Sequence, residues 1–238
     1  MKKSLSILLV LTLMISLFAM NALAADIAGT TWYLNAYDAQ GEQFPAEAMM
    51  LDRTLTFNAD GTARMVVSLW GDDMDENGAW TQDGDCITFT GEIFGEITLM
   101  LVDDTLVEMD EEVAMVFGTE DKPVEGASIP ATVPAQSEAD FEGDWEAVGF
   151  EMSGYLIPAL ASGEYMTLYI AAGEALLTEG EDDEAWETIF GISFADGVLT
   201  LENLDEEEAP QFTAALCENG TITLYAENQS NIYFAKLD

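Results

Sequence analysis

Histidine is absent from all 238 residues. The commonest general base and transition-metal ligand near neutral pH is therefore missing. A Ser-His-Asp or Cys-His nucleophile system is excluded within this chain, as is any His-containing zinc site. Cysteine occurs twice, at Cys86 and Cys217, too few for a Cys-rich zinc site. In an exported protein the two could pair, but their spacing leaves a disulfide and two buried free thiols both open. No Gly-x-Gly-x-x-Gly and no phosphate loop occurs. Basic residues are scarce, six Lys and Arg against 46 Asp and Glu. Such a surface repels nucleic acid and anionic lipid, and it favours cations and basic partners. Beyond residue 24 no apolar stretch is long enough to span a membrane.

Two of the six basic residues, Lys2 and Lys3, stand at the start, ahead of an apolar run from Leu5 to Met20. Ala22-Leu23-Ala24 follows, the small-x-small pattern at which a signal peptidase cuts. Residues 1–24 are thus expected to be a cleaved secretory leader, and the protein to be secreted; an uncleaved anchor is the alternative. Residues 20–40 contain no Cys, which excludes lipid attachment at that point. Cleavage after Ala24 leaves Arg53, Arg64, Lys122 and Lys236 against 46 acidic residues, a formal charge of −42. With 49% hydrophobic residues and 10% aromatic ones, the chain can bury a core, so disorder is a poor reading of its charge.

Residues 119–140 hold three of the six prolines (Pro123, Pro130, Pro134) and show no periodicity. They read as an extended, semi-stiff linker between residues 25–118 and 141–238. The two flanks follow one order, as duplicated units do. Gly29-Thr30-Thr31-Trp32 opens the first and Gly143-Asp144-Trp145 the second. Each then has a short proline-containing helical candidate, at 45–50 and 155–160. Leu55-Thr56-Phe57 before Asp60-Gly61 matches Leu168-Tyr169-Ile170 before Gly173. A second tryptophan follows in each, Trp80 and Trp186. Cys86-Ile87-Thr88-Phe89 matches Val198-Leu199-Thr200-Leu201, and the units close on Phe117 and Phe234.

Within each unit, apolar and polar residues alternate with a period of two, the mark of a half-buried strand. Asp60-Gly61, Asn77-Gly78, Asp83-Gly84, Asp196-Gly197 and Asn219-Gly220 fall between the runs and predict tight hairpins, since these residues tolerate positive φ. About eight strands per unit are expected. The fold class is all-β: two small antiparallel up-and-down barrels in tandem, each with a short helix after the first strand.

A Gly-x-Trp at the first strand, a short helix soon after and a meander ending in an aromatic-rich strand resemble the lipocalin-like domains of secreted bacterial proteins. Gly143-Asp144-Trp145 matches the motif directly, and Gly29-Thr30-Thr31-Trp32 carries one extra residue. The resemblance implies a small barrel with an apolar cavity and a basic residue covering the tryptophan. Lys236 fits that part in the second unit, while Phe117-Gly118-Thr119 offers no counterpart in the first.

Inward positions at which the barrels could hold a small apolar or amphiphilic ligand are Trp32, Phe57, Trp80, Phe89 and Met115, then Trp145, Leu168, Trp186 and Phe212. The same residues serve equally as plain core. Asp73-Met74-Asp75-Glu76-Asn77-Gly78 matches the opening of a calcium loop, making Asp73, Asp75 and Asn77 weak metal candidates. The twelfth position, however, is Gly84 rather than Glu, so an acidic hairpin tip is the competing reading. No cofactor is implied, beyond weak Ca2+ binding from the charge. A non-enzymatic binding protein is expected. An acidic extracellular module that meets cations or basic partners is the alternative, and a hydrolase using a carboxylate pair trails both.

Overall fold

A computed structural model describes residues 26–109, 113–181, 184–204, 211–226 and 229–237. The expected leader, residues 1–24, lies outside them. In the first copy the strands are β1 (Thr30–Ala39), β2 (Glu42–Pro45), β3 (Leu51–Phe57), β4 (Thr62–Leu69), β5 (Asp72–Asp83), β6 (Cys86–Thr90), β7 (Glu96–Val102), β8 (Thr105–Met109) and β9 (Ala114–Gly118). The connecting segment carries the short β10 (Thr132–Val133). The second copy consists of β11 (Gly143–Met152), β12 (Tyr155–Pro158), β13 (Glu164–Ala171), β14 (Glu174–Glu181), β15 (Glu184–Ala195), β16 (Val198–Asn203), β17 (Phe212–Cys217), β18 (Ile222–Tyr225) and β19 (Ile232–Lys236).

Both copies are closed eight-stranded antiparallel barrels. In the first, β1 pairs with β3, each later strand pairs with the next, and β9 returns to β1. In the second, β11 and β13–β19 do the same, closed by β11 against β19. Closure removes the exposed edges that would otherwise recruit other strands. β2 and β12 stand outside the barrels as hairpin partners of β1 and β11. The expected short helices follow these hairpins as single 3-10 turns, Ala46–Met49 and Ala159–Ser162. The duplication extends to irregularities. The closing ladder slips between Leu34 and Ala36 in one copy and between Ala147 and Gly149 in the other, equivalent positions by register. Such bulges bend a strand and increase its twist, as closing a small barrel requires.

Alternation decides what faces inward. Leu55 and Phe57 on β3, Ile87 and Phe89 on β6, Leu99 on β7 and Phe117 on β9 are fully buried in one cluster. Leu168, Ile170, Leu199, Leu201, Ile222 and Phe234 do the same in the second barrel.

Two expectations need correction. Asn77-Gly78 is not a turn: it lies within β5, opposite Arg64 and Ala63. Gly78 is required there for space, because a Cβ would overlap the carbonyl oxygen of Thr90 and press on the Phe89 ring. The turn is Trp70-Gly71, with φ of 53° and 89°, so Trp70 sits at a hairpin tip. Trp80 and Trp186 are on corresponding strands but are not equivalent. Register aligns Asp72 with Glu184, hence Trp80 with Ile192 and Trp186 with Met74.

The segment 119–140 is extended, as expected, and it is docked on both barrels rather than merely spacing them. Val124 N–H donates to Asn35 O at 3.3 Å, and Ala127 bridges to Leu156. β10 pairs with β17. Ser137 and Asp140 form a capping box around the turn Glu138–Asp140. The barrels also meet directly. Ile157 of β12 is buried in the first barrel's cluster, and Tyr155 Oη donates to Glu47 Oε2 at 3.0 Å.

Candidate functional site

The two ends of each barrel differ. At one end the residues preceding the first strand form a plug. Ile27 is buried beneath the first barrel and Phe141 beneath the second. The tryptophans of the opening motif pack above them: Trp32 Nε1 donates to Thr30 Oγ1 at 2.8 Å, and Trp145 Nε1 to Phe141 O at 2.8 Å. Lys236 Nζ lies 5.3 Å from the centre of the Trp145 ring, the basic cover the resemblance implied. Gly143, at φ 127°, leaves the space Lys236 occupies. Phe57 and Trp80 meet edge to face at 5.3 Å at this end of the first barrel.

The sequence-derived ligand positions therefore divide by depth. Trp32, Phe57, Phe89, Trp145 and Leu168 are buried within the two cores. Trp80, Met115 and Phe212 are partly buried against them, with Phe212 edge to face on Phe190 at 5.7 Å. Trp186 alone among the nine is mostly exposed, at 57%. Asp73, Asp75 and Asn77 lie along one face of β5 and are not gathered round a centre. Asp75 instead accepts Arg64 Nε at 2.9 Å and Nη2 at 2.5 Å, which holds its carboxyl below its ordinary range. Among the described residues no cluster of three or more His, Cys, Asp or Glu is placed to hold a metal. Cys86 and Cys217 are free thiols; burial pushes the Cys217 thiol upward.

At the opposite, loop end several large apolar side chains meet solvent. Met50, Trp70, Met74, Ile93 and Met109 are exposed on the first barrel, Trp70 to 77%. On the second, Leu160, Tyr165, Trp186 and Leu204 are exposed. Trp70 N–H donates to Met50 O at 3.2 Å, tying two parts of the rim together. A cleft of about 240 Å3 opens beside this rim, lined by Met50, Asp52, Ser68 and Asp121 among others. Burial and then the charge of Asp121 raise the Asp52 carboxyl.

Below the rims are polar residues that the sequence reading missed. Arg53 shares the inward parity of Leu55 and Phe57. Its Nη1 donates to Glu108 Oε2 at 2.5 Å, with the two side chains 12% and 17% exposed. Its Nε is buried with no hydrogen-bond partner. Tyr37 lies close by, stacked on Phe44 at 5.4 Å. Burial, partly offset by Arg53, pushes its hydroxyl up to about 12. Glu76 also faces inward, buried, and accepts the N–H groups of Ile93 (2.5 Å) and Phe94 (3.0 Å). It thereby fixes the 91–95 loop across the barrel. In the second barrel Glu179 follows Ala175 and Leu177 on the inward face of β14, half-buried. Its carboxyl is raised by burial and then by the charge of Glu164. A parity test on β3, β5, β8 and β14 would have found Arg53, Glu76, Glu108 and Glu179, whereas the slip in β1 breaks the alternation before Tyr37.

The fold and the paired rims define a class: two fused up-and-down barrels, each plugged at one end and apolar-rimmed at the other. No family model matches the chain, and no curated protein matches it in sequence. Among solved structures, the Cpx pathway activator NlpE from Escherichia coli is similar over 87% of this chain and 95% of its own, at 15% identity and a TM-score of 0.27. A protein of unknown function from the DUF3598 family, from Nostoc punctiforme, is similar over 92% of this chain and 100% of its own, at 12% identity and a TM-score of 0.27. At such identities and superpositions neither says what this chain does.

Proposed function

We propose that this is an exported, non-enzymatic binding protein of lipocalin-like type, which takes a small apolar or amphiphilic molecule at the loop end of each barrel. The observation that carries this reading is the placement of large exposed apolar side chains above inward-facing polar groups in both copies: Trp70 with Met50, Met74 and Met109 in the first, Trp186 with Leu160, Tyr165 and Leu204 in the second. Exposed apolar side chains scattered singly need no explanation; gathered at a barrel mouth, they mark a place where apolar surface expects a partner. Methionine adapts to varied apolar shapes, which suits a rim that admits more than one tail. The polar groups below would orient a ligand's head, and the acidic exterior keeps the loaded protein soluble.

Titrating residues 25–238 with a neutral environment-sensitive dye such as Nile red, followed by native mass spectrometry, tests the reading. Saturable uptake of up to two equivalents is expected. Trp70→Ala and Trp186→Ala should each weaken one equivalent by about tenfold, roughly 1.4 kcal/mol. Absence of saturable uptake at either barrel would overturn it and leave the acidic interaction module as the better account.

A further inference from the structure

The second barrel's mouth has changed its chemistry relative to the first. Register makes Arg53 equivalent to Met166 and Val67 equivalent to Glu179. It likewise pairs Glu108 with Leu224 and Met74 with Trp186. The second copy therefore lacks the internal ion pair, and it has gained a carboxylate directly opposite an indole, Glu179 across from Trp186 on adjacent strands. Directly opposed residues of an antiparallel pair bring their Cβ atoms within about 5.5 Å on one face.

Among the described residues no Lys or Arg is paired with this carboxylate. Arg53 is paired with Glu108 and Arg64 with Asp75. Lys236 lies over Trp145 at the plugged end. Lys122 belongs to the segment held at Asn35 of the first barrel. A half-buried carboxylate without a partner is costly unless something else supplies the charge.

We propose, resting on the reading above, that the loop end of the second barrel selects an organic cation: an amine or quaternary ammonium carrying a hydrocarbon tail. Glu179 supplies the counter-charge, Trp186 the π-face, and Met166 and Phe212 the apolar wall beneath. The chemistry agrees at each point. A cation against an indole face is attracted by the ring quadrupole. Glu164, which repels Glu179 when the site is empty, adds attraction once a cation sits between them. A hard metal ion fits poorly, because it demands six or more oxygens and tolerates no indole.

Calorimetric titration of residues 25–238 at about 0.15 M NaCl, where charges are screened beyond about 8 Å, separates the possibilities. The probes are octyltrimethylammonium and octyl glucoside, both below their micelle concentrations. The cation should bind at least tenfold more tightly than the neutral glucoside. Glu179→Gln should abolish that preference. Glu187→Gln, which removes the same charge from an exposed, outward position on β15, should keep it. Thermal melts of both variants establish that they fold. If the two variants behave alike, the cation is held only by the protein's overall charge, and the inference fails. If the glucoside binds and the cation shows no preference, the inference fails while the binding reading stands. If neither probe is taken up, both fall.

Discussion

Arg53 and Glu108 occupy positions that the second copy fills with Met166 and Leu224. One sequence position in two barrels thus compares a buried ion pair with its apolar replacement. Such pairs roughly break even against well-packed hydrophobes, whereas removing one partner strands a charge. Glu108→Gln should therefore cost about 3 kcal/mol. The double variant Arg53→Met with Glu108→Leu should stay within about 1 kcal/mol of wild type. Urea unfolding of both measures this, and a double variant as unstable as the single one would show that the pair contributes net stability. The orphaned Arg53 Nε argues that the pair is not retained for stability alone.

Among the elements, β5 teaches the most about what a sequence conveals and reveals. Its alternation is legible in Met74, Glu76, Gly78 and Trp80, but Asn77-Gly78 carries the signature of a tight turn and is misread. The glycine serves a close approach to Thr90 and Phe89, a tertiary requirement with no local signal. Gly78→Ala should cost about 2 kcal/mol by overpacking, read as a lowered urea midpoint with an unchanged slope. An alanine tolerated at wild-type stability would show that β6 can yield there. Strands β6 and β9 were legible because their inward residues, Ile87 and Phe89, Met115 and Phe117, are all apolar. Arg53 and Glu179 were not, because a charged residue on a strand is ordinarily read as outward. The supposed equivalence of Trp80 and Trp186 failed for another reason. A count of aromatic residues follows order along the chain and ignores ladder register, which places one at the plugged end and the other at the mouth.

For the whole molecule, the balance of four basic residues against 46 acidic ones beyond residue 24 sets the response to salt. Like charges on a compact surface repel more strongly than on an expanded chain, so the folded state is destabilised by its own field. Raising NaCl from about 0.05 to 0.5 M shortens the screening length from over 10 Å to a few ångströms. The thermal midpoint should climb throughout that range. A flat response would mean that the carboxylates are too dispersed, or too many are protonated, for the field to matter.

The first and last strands of each barrel are partners: β1 with β9, and β11 with β19. This arrangement puts the two copies on different clocks during synthesis. The first barrel can close once Gly118 has emerged, while most of the second is still unmade. The second cannot close until Ile232–Lys236 are delivered, so its core waits for its own last strand. Through that interval the open meander of the second copy has as its neighbour a barrel already completed.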